Sequence, residues 1–228
     1  MTTKPGGPSP IVFVPRQGDP QLLFVLLHGE SASPEQLFPL AEAVKKTFPK
    51  AMVVLPYADH VGALMEAVPA LIQQIRQFQL NFGLSGQQTA LAGFSRGASM
   101  VLEASHAQVD LAGRVLAFSG LYEHQPTSAP PATMLHFFHG EDDRELPVAQ
   151  ARQTLVHLGE LQGDATLDVA SMVGHELHEA LIQQAVVRLQ TCVPLRNWEA
   201  ALSSLQQCAA DPGSDTPSPG HPSGPTLH

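Results

Sequence analysis

Short runs of apolar and β-branched residues alternate along this chain with longer stretches in which apolar residues recur every three or four positions. The first kind reads as buried strands and the second as helices with one face against a core. Strand patterns fall at 11–14, 22–27, 51–55, 89–92, 115–118, 134–138 and 166–169. Ser33-Pro34-Glu35-Gln36 reads as an N-cap with proline in the first turn, and Leu37, Leu40, Ala41 and Val44 carry a helix on to about residue 48. The same periodicity predicts helices at 64–80, 98–104, 147–161, 176–189 and 198–208. Strands alternating with helices build the α/β class: a mostly parallel central sheet of about seven strands, flanked by helices.

The two ends break the pattern. Residues 1–9 and 210–228 are rich in Pro, Gly and Ser, compositions that bury too little apolar area to offset the entropy of ordering. They are expected to be disordered tails around a single domain at 10–209, with no internal repeat and no dividing linker.

Composition narrows the function. The 228 residues are 43% hydrophobic and 14% charged, within the globular range. A net charge of −9 without a basic run disfavours nucleic acid, whose phosphates call for clustered Lys and Arg. The longest apolar runs fall far short of the ~18 residues that span a bilayer. The opening residues lack the apolar segment of a secretory signal, so the cytoplasm is the expected location. In that compartment Cys192 and Cys208 read as free thiols.

The chemistry begins at Gly93-Phe94-Ser95-Arg96-Gly97, between the strand at 89–92 and the helical run from Ala98. Strand, tight turn and helix are the context of a G-x-S-x-G nucleophile elbow, in which flanking glycines make room for a strained serine above the sheet edge. The helix behind Ser95 aims N–H groups and its positive dipole end at any oxyanion formed there.

A serine hydroxyl needs a general base, and the base needs an orienting carboxylate. In this chain order both lie downstream, the acid first. The strand at 134–138 leads to Glu141, Asp142, Asp143 and Glu145, among which spacing leaves Asp142 and Asp143 equal. After the strand at 166–169, Met172-Val173-Gly174-His175 puts a histidine on a loop at the sheet edge. His178, one turn into the next helix, is its rival. His175 and His178 lack the spacing of H-E-x-x-H, and no third ligand is evident, so no metal is expected. The early strand at 22–27 ends in His28-Gly29-Glu30-Ser31, where the second oxyanion donor belongs. The backbone N–H groups of Glu30 and Arg96 are the candidate donors, and His28 is expected to support the loop by hydrogen bonding.

These residues resemble the phospholipase/carboxylesterase family of α/β-hydrolases, which includes acyl-protein thioesterases and small bacterial cytosolic esterases. The resemblance runs from about Gln21 to Cys208. It rests on Leu26-Leu27-His28-Gly29, Phe48 to Val54, Leu91 to Ala98, His139-Gly140-Glu141-Asp142-Asp143 and Gly174-His175. It implies a single-domain α/β-hydrolase fold with little or no lid and a Ser95, Asp143, His175 triad, the acid being the fifth residue of H-G-x-x-D. It further implies carboxylic ester or thioester substrates and no cofactor.

Three departures bear on specificity. The usual H-G-x-G-D loop reads His28-Gly29-Glu30-Ser31-Ala32. Arg96 stands where Gln is common, a cation that could meet a substrate carboxylate or phosphate, pair with Glu30 or stay solvated. Between Tyr57 and Leu64 a longer loop with a Trp-Phe pair is missing, so a shorter or more open acyl pocket is expected. Tyr57, Glu30 and Arg96 are the residues expected to contact substrate. The departures motivate one alternative, a non-catalytic relative that binds a small acyl ligand. The oligomeric state is open, a homodimer included.

Overall fold

Successive side chains of a strand point to opposite faces of a sheet, and here both faces are apolar, as expected where helices cover both sides. In β2 (Leu22–Leu27), Leu23, Val25 and Leu27 join one core cluster, while Phe24 and Leu26 join another. The computed structural model describes residues 9–58 and 62–191. Its other strands are β1 (Ile11–Phe13), β3 (Ala51–Leu55), β4 (Thr89–Phe94), β5 (Arg114–Phe118), β6 (Met134–Gly140) and β7 (Ala165–Ala170). They form one sheet of seven strands in the order β1-β3-β2-β4-β5-β6-β7. All pairs are parallel except the edge strand β1, which runs antiparallel to β3 with Val12 opposite Val54.

The helices divide between the faces. α2 (Leu64–Phe82), α3 (Arg96–Ala107) and α4 (Val148–Glu160) pack Ile75, Val101 and Leu158 into the first cluster. α1 (Phe38–Thr47) and α5 (Glu179–Thr191) pack Leu40 and Ile182 into the second. The expected helix from residue 34 divides into a 3₁₀ turn, Pro34–Leu37, and α1. Pro39 explains the break, because it has no N–H to donate to the Glu35 carbonyl; Phe38 N–H bonds there instead.

Two boundaries moved for physical reasons. β4 and β6 run on through Gly93 and Gly140, residues that read as loop, because each glycine lies where another backbone presses against the strand. The expected helix at 176–189 starts only at Glu179, as tight turns from Glu176 N–H to Gly174 O (3.0 Å) and His178 N–H to Glu176 O (3.0 Å) precede it. The expected helix at 198–208, both tails, Cys192 and Cys208 lie outside the described residues. No described helix is long and apolar enough to cross a membrane.

Polar groups also sit inside the sheet, His136 among them. His136 of β6 is fully buried, with Nδ1 2.8 Å from Thr166 Oγ1 of β7. Burial, reinforced by the charges of Arg114 and Arg188 and opposed by Asp168, pushes this imidazole down from 6.5 to about 4. The unfolded chain therefore takes up this proton first as pH falls, and stability drains away between about pH 6.5 and 4. The loss attributable to this residue approaches about 3 kcal/mol. Urea unfolding at pH 7 and pH 4.5 should show a falling midpoint in the wild type and a smaller fall in His136→Gln; equal falls would remove His136 from the account.

Candidate active site

Because β2 and β4 to β7 are parallel, the loops that follow them emerge at one edge of the sheet. Strain collects there. Six non-glycine residues among those described have positive φ, and four of them, Ser31, Ser95, Ser119 and Met172, lie in these loops.

Ser95 joins β4 to α3 with φ 52° and ψ −121°. Its N–H donates to Phe118 O of β5 at 2.8 Å, and its carbonyl accepts from Ala98 and Ser99 in the first turn of α3. The turn depends on close backbone contact. A Cβ on Gly93 would collide with the Gly97 backbone, and one on Gly97 with the carbonyl oxygens of Leu27 and His28.

The acid and the histidine are held in register by backbone bonds between adjacent loops. Glu141 N–H donates to Ala170 O and Asp142 N–H to Val173 O, both at 2.9 Å. A Cβ on Gly140 would strike the Val173 and Gly174 carbonyls, so any larger residue would separate the loops. Arg188 of α5 clamps Asp168 of β7 through Nε and Nη2, each 2.8 Å, closing the stem from which the His175 loop projects.

Between the two candidate aspartates the environments differ sharply. Asp142 is exposed; Asp143 is buried, and its Oδ2 accepts from His175 Nδ1 at 2.8 Å. Asp143 Oδ1 accepts from the N–H groups of Glu145 (3.0 Å) and Leu146 (2.9 Å). Burial acts to raise the Asp143 carboxyl, but the Leu146 N–H, the His175 bond and the nearby imidazoles of His175 and His139 outweigh it and hold it below its ordinary value. It is therefore an ionised acceptor. His139 Nε2 lies 3.5 Å from Asp143 Oδ2 and donates to Leu146 O at 2.6 Å, bracing the same loop.

The His175 ring packs on Phe94, the residue before Ser95, with centroids 5.0 Å apart. Ser95, His175, Glu30 and Arg96 all line one cleft of about 580 Å³. The rival His178 is exposed, and its Nδ1 accepts from Ala180 N–H at 3.2 Å, capping α5.

The candidate oxyanion loop departs from the H-G-x-G-D pattern in sequence, yet it keeps one backbone feature that a glycine would supply. Ser31 occupies the second glycine position of that pattern and adopts φ 57°, the left-handed conformation that glycine takes at no cost. Gln36 Oε1 accepts from Gly29 N–H at 2.8 Å, and His28 Nε2 accepts from Ala58 N–H at 3.1 Å, so His28 supports the loop as expected.

Arg96 behaves otherwise than a free cation. Its Nη2 donates to Gly62 O at 2.6 Å, its Nε is buried without a partner, and no described carboxylate pairs with it, Glu30 included. Tyr57 is 40% exposed and is absent from the described lining of the cleft.

Two residues of the cleft carry no clear mark in the sequence. Ser119 follows β5 as Ser95 follows β4, has φ 45°, and keeps its Oγ buried in the cleft wall with no partner; its one signal is a serine-glycine pair after a strand. Glu145, grouped in the sequence with surface carboxylates, brings Oε2 to 3.6 Å from His175 Nε2. Among the described residues no three His, Cys, Asp or Glu side chains gather to hold a metal ion.

Comparison with known proteins bears on the family and the fold. The sequence profile of the phospholipase/carboxylesterase family matches residues 59–193. Esterase YpfH of Escherichia coli K12 is 32% identical over 207 residues, covering 80% of this chain and 88% of the relative. The solved structure of esterase PE8 superposes with a TM-score of 0.70 at 25% identity, covering 81% of this chain and 97% of that one. A phospholipase/carboxylesterase from Dyadobacter fermentans shares the fold at a TM-score of 0.66 and 19% identity, over 80% of this chain and 96% of its own. A parallel sheet with its loops gathered at one edge and a profile match over most of the described helices and strands converge: the chain belongs to the phospholipase/carboxylesterase family and is an esterase-type hydrolase of the α/β-hydrolase fold.

Proposed function

We propose that this protein hydrolyses small carboxylic esters, thioesters included, through a Ser95, His175, Asp143 triad and an acyl-enzyme. The observation that carries the proposal is the 2.8 Å bond from His175 Nδ1 to the buried, ionised Asp143, in the cleft that Ser95 also lines.

With Nδ1–H committed to Asp143, Nε2 carries the lone pair that accepts a proton. Ser95 Oγ attacks the ester carbonyl while His175 Nε2 takes its proton, and the oxyanion is met by the backbone N–H groups of Arg96 and Glu30. The imidazolium then protonates the leaving alcohol or thiol. Water, deprotonated by the same nitrogen, attacks the acyl-enzyme, and the acid is released as the imidazolium returns that proton to the departing Ser95 Oγ. Asp143 fixes the tautomer and stabilises the imidazolium throughout. No cofactor enters these steps.

Strain at Ser95 supports the assignment: a serine held at φ 52° gains nothing structural from a conformation that alanine or glycine would tolerate as well or better. Glu145 Oε2 lies 3.6 Å from Nε2, at the ring nitrogen that Asp143 leaves free.

Two substitutions test the reading. Ser95→Ala should lower kcat on 4-nitrophenyl acetate by about 10⁴-fold or more without altering the unfolding midpoint appreciably; wild-type turnover in the variant would end the proposal. Asp143→Asn keeps the shape but favours the wrong imidazole tautomer, and should lower kcat by about 10⁴. A loss under about tenfold would remove Asp143 from the triad.

A further inference from the structure

Part of the cleft lining is built for hydrogen bonding. α4 presents Gln150, Gln153 and Thr154 to it, positions spaced three and four apart on one helix face, and Gln125 joins them from the segment after β5. The amides of Gln125, Gln150 and Gln153 make no side-chain hydrogen bond to any described residue, so each has both donors and an acceptor to offer. Glu123 and Glu145, both exposed, add carboxylate acceptors to the same lining.

The apolar share is slightly the smaller one. Among the described residues, Leu64, Leu121, Tyr122, Leu146 and Pro126 are the large apolar contributors to the lining, too few to wrap a long acyl chain. Anions fare poorly too. Arg96, the one Lys or Arg among the described lining residues, already donates to Gly62 O, and the carboxylates of Glu30, Glu123 and Glu145 share the cleft.

We propose that the substrate is a small, uncharged ester rich in hydroxyl groups, bound through its hydroxyls by Gln125, Gln150 and Gln153 with Glu123 and Glu145 as acceptors. A hydroxyl both donates and accepts, so it satisfies an amide and a carboxylate together, and the planar amides suit the closely spaced hydroxyls of a polyol. An apolar ester of the same size would strip water from these groups and return no bond. The inference rests on the hydrolysis assigned above to Ser95. The hydroxyls could lie on the alcohol or on the acyl side of the ester, and the chemistry of recognition is the same.

The experiment compares kcat/KM for matched pairs, each corrected for its rate of alkaline hydrolysis. On the alcohol side the pair is glycerol 1-acetate against propyl acetate; on the acyl side it is methyl 2,3-dihydroxybutanoate against methyl butanoate. Two or three recovered hydrogen bonds should give the hydroxylated ester an advantage of about tenfold or more in one arm, which also locates the polyol side. In Gln150→Leu/Gln153→Leu that advantage should fall by about fivefold or more. Gln125→Leu, on a different element, should reduce it independently. No advantage in either arm of the wild type, or an advantage that all these variants retain, overturns the inference. Should the wild type turn over 4-nitrophenyl acetate yet show no hydroxyl preference, only this inference fails; should it turn over no ester at all, the hydrolytic reading fails first.

Discussion

The turn at Ser95 is the constraint on which the rest of the active edge depends. A left-handed serine between a strand and a helix is tolerable only where the surrounding backbone holds it, and here the hold is close contact through hydrogens. Gly93 faces Gly97, and Gly97 faces the carbonyls that end β2. One pair of glycines thus fixes the distance between β4 and α3 and the distance between α3 and the loop that carries Glu30. The proposed nucleophile and the expected oxyanion donors are set by a single packing event.

The second half of the cleft is set by hydrogen bonding rather than by close contact. Backbone bonds between the loops after β6 and β7 fix Asp143 relative to His175, and the Arg188–Asp168 pair secures the strand and helix on either side. Asp143 is consequently dry, ionised and fully occupied, with its two oxygens divided between the loop's own N–H groups and the imidazole. A carboxylate used in this way contributes orientation more than charge. The two halves meet at Phe94, whose ring supports His175 while its backbone delivers Ser95.

Seven strands and the elbow were legible in the sequence because buried parallel strands leave uninterrupted apolar runs, and because glycines on both sides of a serine, between a strand and a helix, mark a turn too tight for larger residues. What the sequence withheld depended on backbone shape. Asp142 and Asp143 are neighbours in a turn, and only resemblance separated them until burial did. Ser31 looked like a lost glycine, yet it keeps the left-handed conformation that glycine would have supplied. Arg96 left three readings open, a substrate anion, Glu30 or solvent, because a bond to a carbonyl 34 residues away leaves no mark in local sequence. Ser119 and Glu145 reach the cleft through long-range folding, and the serine-glycine pair after β5 is the one local mark of it. Pro39 is the exception, a purely local signal whose lost donor accounts for the break before α1.

The central claim is that Ser95 Oγ is the atom that bonds to the acyl carbon. Covalent trapping tests it most directly. The wild-type protein treated with a fluorophosphonate and digested for mass spectrometry should carry one adduct, on Ser95, and none should form in Asp143→Asn at a comparable rate. An adduct on another residue, or ester turnover by a protein whose Ser95 stays unmodified, would contradict the account.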